Sequence, residues 1–179
     1  MITIFSVPAQ LMKLAKNPFI RKNHAIEHAT INVLEEMYGI KRLAGFSEED
    51  GYFLFGCSEL EKVENASREG LQRLKDGEKK LAIHKECGTS AGVANFIMAL
   101  AFIVLLVTTG AFSVLFFFFA LLIVLIIGPV LGELAQEFLT TSSKVESIDI
   151  DHIEMRVFNP FNTSKPMESQ IFVVTKVNV

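Results

Sequence analysis

Between Thr89 and Gly132 the chain has no Asp, Glu, Lys or Arg for 44 consecutive residues. So long an absence of charge excludes an ordinary solvated surface there. A bilayer crossing takes about 20 apolar residues at about 1.5 Å each, so the stretch has room for two. Half of the 179 residues are hydrophobic, and the mean hydropathy is +0.39. Other absences narrow the function. With only Cys57 and Cys87, a disulfide scaffold is excluded, and in a cytoplasmic compartment both are expected as thiols. The net charge of −3, with no basic stripe interleaved with aromatics, argues against a nucleic-acid partner. "MITIFSVPAQLMKLAKNPFIRK" lacks the basic start and sustained apolar run of a cleavable signal. "AQLMKLAK" within it reads as a short basic amphipathic helix, lying on a membrane surface or packed on the domain. No phosphate-cradling glycine loop, Ser-His-Asp pattern or dinucleotide fingerprint occurs.

The apolar stretch predicts two helices, at about 91–108 and 111–128, turning at Thr108-Thr109-Gly110 and closing at Gly128-Pro129. The expected fold class is an α+β cytoplasmic head plus a transmembrane helical hairpin. Its parts are a head at 1–88, the hairpin at 89–131 and a tail at 132–179 packing on the head. Lys75, Lys79, Lys80 and Lys85 precede the hairpin and Lys144 follows it. The positive-inside rule then places head and tail in the cytoplasm, with the chain a multi-pass protein of the inner membrane and the lipid bilayer as partner.

Within the head, residues 22–38 read as a helix capped by Asn23 and ended by Gly39. "KRLAGF" and "GYFLFG" read as strands joined by a turn. "SELEKVENASREGLQRLKDG" is a helix in which Ser58 and Glu61 form a capping box, and "KLAIH" reads as a strand. In the tail a helix is expected from Pro129. "VESIDIDHIEMRVF" and "SQIFVVTKV" alternate as strands, with "NPFNTSKP" as the loop between them. Glu133, Gln136, Glu137 and Thr140 share one face of the tail helix, read as solvated, with a cleft lining as the alternative. Asp149, Asp151 and His152 cluster on a strand whose adjacent residues point to opposite faces, so Asp151 and His152 are expected apart and in solvent.

The first helix carries the chemistry. "NHAIEHAT" sets His24, Glu27 and His28 at i, i+3 and i+4, within roughly a third of the helix circumference. Two imidazoles one turn apart can hold one tetrahedral Zn²⁺ while the carboxylate orients a water. Ile26, Ala29, Val33 and Met37 form an apolar stripe on roughly the opposite side, and Ile31 on the histidine face implies that something covers it. For a third ligand His84 is the first choice and Cys87 the second, both from "LAIHKECGTS". Glu78 and Glu133 lie further out.

"HAIEH" resembles the inverted zinc motif of the inverzincins, the pitrilysin-type metallopeptidases. The resemblance covers roughly residues 22–76, through the glycine, two strands and helix that follow, and is specific at the motif. It implies Zn²⁺ on His24 and His28 and Glu27 as general base, while the expected place of the site near a bilayer suits a membrane-associated peptide or protein substrate. The chain departs from that family in length and has no match to its downstream glutamate ligand. "NHAIEHAT" with "LAIHKECGTS" ahead of a hairpin also resembles a group of small uncharacterised prokaryotic membrane proteins, which implies no activity. The expected function is a membrane-anchored zinc-dependent hydrolase, a metallopeptidase. The alternatives are a non-enzymatic module in which His24, His28, His84 and Cys87 close a metal site, and a metal-free docking domain.

Overall fold

The computed structural model describes residues 12–109, 114–159 and 169–178. Helix α1 (Pro18–Tyr38) starts where Asn17 accepts hydrogen bonds from the Phe19 and Ile20 amides at 2.9 and 3.3 Å. Pro18 then occupies the first helical position, where a missing N–H costs nothing. Gly39 ends the helix at φ 65°, a conformation that suits a residue without Cβ. Asn23 is therefore not the cap. It sits inside α1, and its amide donates to the Glu48 and Glu49 carbonyls at 2.9 and 3.1 Å while accepting from Thr175 Oγ1 at 2.9 Å.

Strands β1 (Ala44–Ser47), β2 (Gly51–Phe55), β3 (Ile148–Val157) and β4 (Ser169–Val177) form one antiparallel sheet in the order β1-β2-β4-β3. Alternation decides its faces. Tyr52, Leu54, Ile171 and Val173 join the core under α1 and α2 (Leu60–Lys75). Phe53 and Phe172 turn to the other face and meet edge-on at 4.6 Å. Helix α2 begins after Glu59 without a side-chain cap, so Ser58 does not close the expected capping box.

"KLAIH" is not a strand. Residues Lys79–Ala82 form a 3₁₀ turn. Leu81 and Ala82 are both buried, which a strand exposed on one face cannot do. Its acceptors are satisfied by α1 side chains: Asn32 donates to the Leu81 and Ile83 carbonyls at 3.1 and 3.0 Å. Pro129 does not begin a helix either. It lies inside α4 (Val114–Ala135), which follows α3 (Gly88–Thr109), packs against it and runs into a π-helical turn, Gln136–Thr140.

Among the described residues no helix is long and apolar enough to cross a membrane. This overturns the transmembrane hairpin, and with it the multi-pass membrane localisation and the sidedness drawn from the lysines. Charge was the wrong measure. Helix α3 opens on Gly88, Thr89 and Ser90 and carries Asn95. Its unbroken hydrophobic run, 96–107, rises only about 18 Å, against about 30 Å of hydrocarbon. In α4 the run 114–127 rises about 21 Å before Gly128 and Pro129. What the two helices do show is exposed apolar side chains, among them Phe96, Leu100, Val107, Leu125 and Ile126. The expected turn at Gly110 and most of "NPFNTSKP" lie outside the described residues.

Helices α1 and α2 approach closely at Gly70, where an added Cβ would lie 2.9 Å from the Ala29 carbonyl carbon. Gly70→Ala is expected to force the pair apart and cost about 1–3 kcal/mol. A urea midpoint unchanged from wild type would show that the contact can yield freely.

Candidate metal centre

His24 and His28 are one turn apart on α1, their ring centroids 4.2 Å from each other. What covers them comes from the far end of the sequence and from the 3₁₀ turn. His24 Nδ1 donates to the Thr140 carbonyl at 3.0 Å, and His28 Nδ1 donates to the Ala82 carbonyl at 2.8 Å. A carbonyl can only accept, so each Nδ1 carries the proton and each Nε2 is left as a lone pair. Cys87, just before α3, brings Sγ to 3.7 Å from His24 Nε2. His28 Nε2 is buried with no hydrogen-bond partner among the described residues, a costly state for a polar atom unless something else takes it. The donor atoms of His24, His28 and Cys87 all lie within 4.8 Å of one another. This buried cluster could hold a metal ion.

His84 lies beside the cluster rather than in it. Its ring is 6.0 Å from that of His28, and its Nε2 is 3.6 Å from Glu35. Gln136 grips its main chain from both sides, accepting from the His84 amide at 2.9 Å and donating to the His84 carbonyl at 3.0 Å. Glu78 is exposed and paired with Arg73 at 2.7 Å, while Glu133 is exposed. Neither approaches the histidines as a ligand.

Glu27 is 3 % exposed. Ser47 Oγ donates to its Oε2 at 2.5 Å, and strand β1 makes room for it, since a Cβ on Gly45 would lie 2.3 Å from its carboxyl carbon. Gly45 and Ser47 are two apart, so both face α1. Glu27, His24, Gly45 and Ser47 line a cavity of about 70 Å³ that also meets Lys13, Leu14 and Ile20.

Burial sets the protonation states. It pushes the Glu27 carboxyl up to about 8, opposed by the Ser47 hydrogen bond. It lowers His24 to about 4, opposed by the Thr140 bond. His28 is held well below its ordinary range by burial first and then by the neighbouring His24. Both imidazoles are neutral at pH 7, the form that binds metal.

Sequence reasoning missed Ser47, Gly45, Asn32 and the two carbonyls. The stripe of Glu133, Gln136, Glu137 and Thr140 is only half solvated: Gln136 and Thr140 are buried, whereas Glu133 and Glu137 are exposed. The pairing of Asp151 with His152 at 2.7 Å also differs from expectation. A bulge between Ile150 and His152 shifts the register and breaks the alternation that would have separated them.

A match to the domain of unknown function DUF6391 runs over residues 19–153, most of the chain and all of the cluster. The chain belongs to the DUF6391 family. An uncharacterized protein of Picosynechococcus sp. is 36% identical over 90 residues, an alignment covering 45% of this chain and 44% of that protein. The match thus spans less than half the length of that relative. No solved structure matches. Nothing in the DUF6391 description names a chemistry.

Three buried groups are expected to give the metal-free protein a stability optimum near pH 6.5. Below 6.5 the unfolded chain protonates His24 and His28 while the folded chain does not, so stability falls with pH. Glu27 acts oppositely: above 4.5 the unfolded chain ionises it while the folded chain keeps its proton until about 8. Among these three groups the two histidines outweigh Glu27 between 4.5 and 6.5, so stability falls toward acid, and Glu27 alone acts from 6.5 to 8, so stability falls toward alkali. Urea midpoints from pH 5 to 9 would check this, with Glu27→Gln expected to flatten the alkaline arm alone.

Proposed function

We propose that this protein is a zinc-dependent hydrolase of amide bonds, with peptides as substrates. His24, His28 and Cys87 are the ligands and Glu27 the proton acceptor. The observation that carries the reading is the spacing of the donors. Tetrahedral Zn²⁺ with nitrogen at about 2.05 Å and sulfur at about 2.3 Å puts the two donors about 3.6 Å apart. His24 Nε2 and Cys87 Sγ are 3.7 Å apart. Imidazole and thiolate together suit zinc and disfavour magnesium or calcium. The Nδ1–H bonds to main-chain carbonyls are the outer contacts that metal-binding histidines commonly make. Three ligands leave the fourth position for water, as in catalytic rather than structural zinc sites. A closed site with His84 would require that side chain to leave Glu35.

Zinc, when bound, supplies positive charge that acidifies a water and polarises a carbonyl. The chain supplies the rest. Glu27 is a neutral acid in the metal-free pocket, and a dication beside it favours its carboxylate. Ser47 and Gly45 hold that carboxylate at the wall of the cavity it shares with His24. Glu27 takes a proton from the attacking water as the C–O bond forms, then delivers it to the amine as the C–N bond breaks.

Purified protein is expected to contain one zinc per chain by elemental analysis. His28→Ala and Cys87→Ser should lose it, and His84→Ala should keep it. Glu27→Gln should keep zinc while hydrolysis of a peptide library falls about 10²–10⁴-fold. Wild-type protein that takes up no zinc from a stoichiometric titration would end this reading.

A further inference from the structure

Three features define the cavity beside His24 and Glu27. Its volume, about 70 Å³, admits a few waters or one short side chain, which excludes the middle of a folded polypeptide. Leu14 and the buried Ile20 give it apolar lining. Lys13 is the one cation among the lining residues, and among the described residues no carboxylate pairs with it. Some cations of the fold have carboxylate partners, among them Lys75 with Asp149 and Lys176 with Asp151, and others such as Lys41 and Lys85 have none among the described residues; what sets Lys13 apart is its place on the cavity wall. Lys13 sits in a short helical stretch, 12–16, joined to α1 through the bond from the Asn17 amide to its carbonyl at 3.1 Å.

We propose that this cavity binds the carboxyl-terminal end of a peptide or an N-acyl amino acid. Lys13 meets the free carboxylate, and Leu14 and Ile20 receive a small apolar side chain. This rests on the amide-hydrolase reading and narrows it to removal of a terminal residue. The acyl carbon receives the water oxygen, the C–N bond breaks, and the amino acid leaves with its amine protonated. Lys13 takes no part in those bonds. It is a specificity residue, acting on binding.

The test titrates N-acetyl-alanine and its carboxamide into the full chain, zinc-loaded and zinc-free, followed by NMR shifts of residues lining the cavity. The acid is expected to bind about fivefold tighter than the amide, the scale of one partly exposed ion pair. Lys13→Met should abolish the difference and Lys13→Arg should retain it. Both substitutions are on an exposed side chain and leave the core untouched. Equal binding of acid and amide, a preference that survives Lys13→Met, or no binding of either overturns the proposal. A preference kept by protein that cannot take up zinc supports this site while refuting the zinc hydrolase. Zinc with hydrolysis but no acid preference does the reverse.

Discussion

Two main-chain carbonyls govern what helix α1 can do. Ala82 and Thr140 are 58 residues apart in the chain, and each takes the Nδ1 proton of one histidine. Without them either imidazole could place its proton on the other nitrogen, and the pair would present a donor where a metal needs an acceptor. With them both Nε2 lone pairs converge on the Cys87 sulfur. The carbonyls are free for this work because neither segment spends them on regular structure. Ala82 ends a 3₁₀ turn and Thr140 ends a π turn, where acceptors outrun the available backbone donors.

The same logic explains how buried polarity is tolerated around α1. Asn23 bonds the β1–β2 turn and β4, Asn32 bonds the 3₁₀ segment, and Thr30 meets Tyr52 Oη at 2.7 Å. Asn23, Thr30 and Asn32 thus anchor three different parts of the fold, so the helix serves as the frame on which the others are set. Two atoms on this helix, Arg21 Nε and His28 Nε2, are buried without a hydrogen-bond partner among the described residues, and of the two residues it is His28 that lies among further metal-binding donors, those of His24 and Cys87.

Much of this was legible from local pattern. The H-x-x-E-H face, Gly39, the two short strands of the head and the alternating tail strands all express periodicities of 3.6 or 2 in adjacent residues. What was not legible depends on partners distant in the chain. Asn17 outcompeted Asn23 as cap because Pro18 follows it. The strand expected at "KLAIH" failed because Asn32 and His28 claim its carbonyls. Cys87 rather than His84 joined the histidines because Glu35 and Gln136 hold His84 aside. The charge-free stretch misled in another way: lack of charge is not continuity of bulk, and Asn95, Gly128 and Pro129 interrupt the apolar runs.

Cys87 is also the point at which helix α3 begins, its carbonyl accepting from the Ala91 amide at 3.1 Å. A sliding movement of one residue along that axis is about 1.5 Å, several times the few tenths of an ångström over which metal–sulfur bonding tolerates error. An ion seated among the three donors would therefore act as a detent. It would fix the axial setting of helix α3 from a single sulfur at its root.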